Sequence, residues 1–140
     1  MCTMSPETVR DAMVSEPTTL AADASAQEAG RCFADSGEVR AIFVTEDRGR
    51  LLGVVTRKTL VREVVAAGRR PGETTLGEIA EEPNATIDSA MPLDEAFAFL
   101  EQQDYERVPV VEGAKLLGVL SRSVVQRRLA EDEPPDELEN

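Results

Sequence analysis

The phrase RLLGVVTR, Arg50 to Arg57, returns as KLLGVLSR, Lys115 to Arg122. The match continues on both sides of it. Glu16-Pro17 returns as Glu82-Pro83, Glu28-Ala29 as Glu95-Ala96 and Arg40 as Arg107, at offsets of 65 to 67 residues. A repeat at a fixed period restricts the fold more than composition does, because both copies must build the same supersecondary unit. The sequence divides into a first repeat over 1–68, a second over 69–130 and an acidic tail over 131–140. Gly and Pro in the joint AAGRRPGE, Ala66 to Glu73, mark a connection between the copies.

Both copies parse alike. A short helix comes first. It is expected near Ser5-Pro6, with Val9, Ala12 and Met13 inward, and again over Thr74 to Glu82, with Leu76, Ile79 and Ala80 inward. Pro17 or Pro83 follows, then a brief extended entry, Thr18 to Leu20 or Ala85 to Ile87. An amphipathic helix carries Ala26, Ala29 and Phe33, or Leu93, Ala96, Phe97 and Leu100, on one face. Two β-rich runs come next, joined by Glu46-Asp47-Arg48-Gly49 in the first copy and by a tighter turn at Gly113 in the second. Pro109 cannot donate to a ladder, so its strand is expected to be irregular there or to lie at a sheet edge. A last helix opens at Thr56 or Ser121, with Leu60, Val61, Val64 and Val65, or Val124, Val125 and Leu129, as its apolar stripe.

The core must be aliphatic, since 41% of the 140 residues are apolar but there are only four Phe, one Tyr and no Trp. The net charge of -12 argues against nucleic-acid or anionic-membrane partners, whose phosphates it repels. Six acids and no base fall in EDEPPDELEN, which reads as a disordered tail. No apolar run approaches the roughly 18 residues of a membrane span. The first residues lack a basic-then-apolar leader pattern, so the expected location is cytoplasmic. Cys2 and Cys32 read as reduced thiols, and with no His in the chain no metal site is expected.

The repeated phrase runs strand, hydroxyl residue, helix. Thr56 and Ser121 suit the N-cap, and the free N–H groups of a first helical turn can hold an anion. Arg57 and Arg122 follow, with Lys58 beside the first. Capping alone is the competing reading.

The duplicated order, the glycine strand reading G-h-h-S/T into the last helix (h apolar), and the preceding R-V-P-V-V strand resemble a tandem pair of CBS domains over Thr8 to Ala130. The resemblance implies an α/β (α+β) fold. Two β-α-β-β-α repeats, each preceded by a short helix, would pack about a pseudo-twofold axis, leaving two clefts. It also implies adenine-nucleotide ligands (AMP, ADP, ATP or S-adenosylmethionine) and a homodimer. The family's motif continues G-h-h-S/T-x-x-D, with the Asp on the ribose. Here Thr59 and Val124 stand at that position. By the resemblance, one cleft combines Thr86, Ile87, Arg107, Val108 and Pro109 with Thr56, Arg57 and Thr59. The other, weaker one combines Thr19, Leu20, Arg40 and Ala41 with Ser121, Arg122 and Val124. An ordinary strand-edge ion pair is the alternative for Arg40 and Arg107.

The expected function is therefore a stand-alone regulatory module that binds an adenine nucleotide and relays this to a client protein, which the sequence does not name. The alternative is an interaction module that keeps the dimeric fold without the ligand. Catalysis is not expected: there is no His, no G-x-S-x-G, no P-loop and no metal-ligand cluster. The acidic pairs Glu81-Glu82 and Asp94-Glu95 read as solvated helix faces.

Overall fold

The computed structural model describes residues 7–15, 17–83 and 85–132. In chain order the elements are α1 (Val9–Ala12), β1 (Thr19–Ala21), α2 (Ala26–Asp35), β2 (Ile42–Glu46), β3 (Arg50–Val55) and α3 (Arg57–Leu60). These are followed by α4 (Leu76–Ile79), β4 (Ile87–Asp88), α5 (Leu93–Gln103), β5 (Arg107–Glu112), β6 (Lys115–Ser121) and α6 (Arg122–Asp132). The mixed α/β class is the one read from the sequence. Ser5-Pro6 and most of the acidic tail lie outside the described residues, while α6 runs through Asp132. Among the described residues no helix is long and apolar enough to cross a membrane.

The chain forms two compact units. Among the described residues, one comprises 17–83 and 113–116, the other 7–15, 85–112 and 117–132. In the first, β1 runs parallel to β2, with Leu20 opposite Val44, and β2 runs antiparallel to β3, with Ile42 opposite Val55. The register shifts between Val44 and Thr45. Asp47, Arg48 and Gly49 close this hairpin with positive φ, which explains the glycine at its end. The core joins Ala29 and Phe33 of α2, Ile42 and Val44 of β2, Val55 of β3, and Leu76 and Ile79 of α4. Three of these, Ile42, Val44 and Val55, are β-branched and sit on strands that bury them fully.

The helix starting at Thr56 does not stay α-helical. After α3 the chain widens into a π turn over Val61–Val65, where Ala66 N–H donates to Val61 O at 2.8 Å. Of the expected apolar stripe, Val64 is buried, Leu60 is half-buried, and Val61 and Val65 are 58% and 72% exposed.

In the second unit β5 lies between β6 and β4. Of the two alternatives expected for the strand at Pro109, an edge position or a local irregularity, the edge position is corrected here. β5 is interior, and its parallel ladder with β4 is registered at Val110 and Val111, after the proline. The core joins Ile87, Leu93, Ala96, Leu100, Val108, Val110, Leu120 and Val125 with Val9 and Ala12 of α1. Burying a Leu, Ile or Val of this kind contributes about 1.5–3 kcal/mol. Each short leading helix thus packs with the unit that holds the other repeat's strands: α1 with β4–β6, and α4 with β1–β3.

Candidate functional site

The hydroxyl at the end of β3 begins the site. Thr56 is extended (φ -119°, ψ 175°) and caps α3. Its Oγ1 accepts from Thr59 N–H at 3.2 Å, while its own N–H donates to Thr59 Oγ1 at 3.0 Å. This is a reciprocal capping box with threonine in the place usually held by Glu or Gln. Thr59 is fully buried, and its hydroxyl lies 2.7 Å from Glu81 Oε2. An ionised carboxylate cannot donate, so the single Thr59 proton points to Glu81, and Thr56 supplies the proton in the 3.0 Å contact between the two hydroxyls.

Glu81 follows α4 and is held by its backbone as well. Its N–H donates to Val54 O at 2.9 Å and its carbonyl accepts from Val54 N–H at 2.8 Å. Arg62 Nη2 bonds the same Oε2 that Thr59 bonds. The Thr59 hydrogen bond, helped by Arg62 and by the nearby Lys58 charge, holds the Glu81 carboxyl below the ordinary carboxylate value, against a smaller opposing effect of burial. The reading of Glu81 as one of a pair of solvated helical acids is therefore corrected. It lies beyond the end of α4, and its carboxylate is an anchored part of the α3 start. Asp94 and Glu95 do lie exposed, in the first turn of α5.

Arg57 points away from the helix start. Its Nη1 donates to Val39 O at 2.7 Å, and its Nη2 donates to Phe33 O at 3.1 Å and Ser36 O at 3.4 Å. The guanidinium carbon sits 4.8 Å from the Phe33 ring centroid. The last turn of α2 has no basic residue of its own, and Arg57 supplies the donors its terminal carbonyls lack. Arg122 does the equivalent work behind α5. It pairs with Asp104, the left-handed cap of that helix, at 3.3 Å and with Glu106 at 3.6 Å. The arginine that ends each repeated phrase fastens the loop after the preceding helix of its own unit.

The strand-side arginines behave otherwise. Arg40 and Arg107 are exposed and have no side-chain hydrogen bond or ion pair among the described residues. The strand-edge ion pair considered for them does not form there. Ile87 and Val108 belong to one buried core, Pro109 is buried beside them in β5, and Thr86 is exposed. Thr19 is exposed and Leu20 half-buried on β1, and Ala41 is half-buried just before β2. Ser121 is 9% exposed and its Oγ lies 3.0 Å from Ser123 Oγ, while Val124 is half-buried. Among the described residues no group of three or more His, Cys, Asp or Glu could hold a metal ion.

A groove of about 350 Å³ runs along α2 and the stretch after α3, with Ala26, Gly30, Ala34, Leu60, Val64 and Val65 among its walls. Arg31 reaches it from α2.

Comparison with known proteins matches this arrangement. The CBS domain model matches residues 9–66 and 76–131. Hypoxic response protein 1 from Mycobacterium tuberculosis is 29% identical over 94 residues, which cover 67% of this chain and 66% of that protein, just under two thirds of its length. The crystal structure of Hypoxic Response Protein I with two coordinated zinc ions is 25% identical, with a TM-score of 0.71 over 91% of this chain and 99% of that one. The crystal structure of CBSX2 in complex with AMP is 21% identical, with a TM-score of 0.70 over 89% of this chain and 97% of that one. With the model matched twice, at the two copies of the repeated phrase, the chain belongs to the CBS-domain family and carries a tandem pair of CBS domains.

Proposed function

We propose that this chain is a regulatory CBS pair that binds an adenine nucleotide and passes that state to a partner protein in the cytoplasm. The observation that carries the reading is how the four repeated arginines divide. Arg57 and Arg122 are engaged in holding their own units, whereas Arg40 and Arg107 stand exposed and without partners among the described residues. A guanidinium left free at equivalent places in both repeats suits a phosphate, which its fork can bond through two oxygens. The AMP held by CBSX2 supports the choice of ligand class. We place the favoured ligand position at the α3 start, beside Thr56, where Glu81, oriented by the buried Thr59, supplies an exposed carboxylate that the other repeat lacks. Regulation, not catalysis, is the role proposed.

Self-association belongs to the same reading. Val61 and Val65 expose methyl groups beside the groove along α2, and exposed apolar surface of this kind suits a second copy of the chain.

A thermal-shift panel of AMP, ADP, ATP and S-adenosylmethionine tests the ligand. One of them should raise the melting temperature of the native chain, and Arg107→Ala or Arg40→Ala should cut that rise. The second reading, an interaction module without a ligand, draws on the complete burial of Thr59 and the methyls of Val124. A flat response to all four nucleotides at millimolar concentration would favour it.

A further inference from the structure

We propose that Glu81 is the group that accepts the sugar hydroxyls of the bound nucleoside, a proposal that rests on the nucleotide reading above. Thr59 cannot do this work, because it is fully buried and its one hydroxyl proton already goes to Glu81 at 2.7 Å. The carboxylate it orients is accessible, with 46% of the Glu81 side chain exposed. Both of its hydrogen bonds, from Thr59 and from Arg62, fall on Oε2, and none falls on Oε1 among the described residues. The backbone is pinned to Val54 in both directions, so the free oxygen has a fixed position. A carboxylate with one oxygen anchored and the other open is an acceptor without donors, and its natural complement is a neutral group rich in O–H. A phosphate brings acceptors and no donor to such an oxygen, so the hydroxyl-bearing sugar end of a nucleotide suits it better.

The other repeat lacks this acceptor. Val119, the counterpart of Val54, bridges to Val14 instead of an acid. Gly118 faces the Met13–Val14 segment as Gly53 faces Ala80–Glu81. Glu81 therefore equips one repeat alone, and the chain should hold a single hydroxyl-selective position.

The test is calorimetric titration of the native chain and Glu81→Gln with AMP and with its dideoxy analogue, which lacks both ribose hydroxyls. The native chain should prefer AMP by about tenfold, the worth of one or two hydrogen bonds to a charged acceptor. Glu81→Gln should lose that preference by weakening AMP and leaving the analogue unchanged. Equal native affinity for the two ligands overturns the proposal while leaving nucleotide binding intact, and this arm needs no variant to fold. A preserved preference in Glu81→Gln, or tighter AMP binding by it, also overturns the proposal, the latter by making Glu81 an obstruction. If the native chain binds neither compound, the nucleotide reading and this proposal fall together.

Discussion

A side-chain carbon added to Gly53 would lie 2.8 Å from the carbonyl oxygen of Glu81. The Ala80 methyl would be 2.9 Å away. The segment leaving α4 crosses β3 at this point and pairs with Val54 next door. Gly118 is approached in the same way by the backbone of Val14. The glycine of the repeated phrase is thus room for a crossing chain. Gly53→Ala and Gly118→Ala should each cost about 1–3 kcal/mol, because the obstacle is backbone and not a flexible side-chain tip. Gly37→Ala, which meets nothing within 4 Å, should stay within about 0.5 kcal/mol in the same denaturant titrations.

Arg57→Ala removes three carbonyl contacts and the stacking on Phe33 at once. With the arginine exposed, the expected loss is about 1–2 kcal/mol. Arg57→Lys should recover little of it, since an ammonium cannot fork between carbonyls or stack as a plane. Equal stability of the native chain and Arg57→Ala in urea would remove the clasp from the account.

Acid should reveal the Glu81 anchor. Its carboxyl lies below the ordinary value of 4.5, chiefly through the Thr59 hydrogen bond. An acid whose folded value is depressed stabilises the fold fully above its unfolded value, and that help disappears as pH falls through the folded value. The native chain should therefore melt above Glu81→Gln at neutral pH, and the gap should close as pH drops below about 5. Melting curves whose separation stays constant from neutral to acid pH would contradict the anchor. Glu78, depressed by its bonds to Thr75, is present in both proteins and cancels in the comparison.

Val65→Glu places a charge on the most exposed apolar side chain beside the α2 groove. Light scattering should show the native chain at twice 15.2 kDa and this variant at 15.2 kDa. A native monomer at micromolar concentration, or a variant that still dimerises, would separate this face from self-association.

Much of the architecture was legible in the sequence because the repeat reports it twice. Two copies of strand, glycine, hydroxyl and helix left few choices, and the apolar spacing of Leu93, Ala96 and Leu100 by itself marks α5. Contacts between stretches far apart in sequence were not legible. The pattern Leu60-Val61-Val64-Val65 suits an α-helix facing a core, yet the backbone widens into a π turn and leaves Val61 and Val65 outside. Glu81 sits beside another acid after a short helix, and nothing local says that it crosses β3 and meets Thr59, 22 residues earlier. Arg57 was legible as a cation at a helix start. That its guanidinium turns back to Val39 depends on where α2 ends, which periodicity does not fix. Pro109 was expected at an edge or at an irregularity because of its missing donor; its strand is interior, and the ladder with β4 takes up its pairing after the proline.

The claim that matters most is that an adenine nucleotide binds here. Calorimetric titration of the native chain with AMP tests it most directly. The account predicts saturable binding of modest affinity that fills one position per chain first, because Glu81 is present in one repeat and its counterpart, Val14, carries no acid. No heat up to millimolar AMP would contradict it, as would two identical positions per chain.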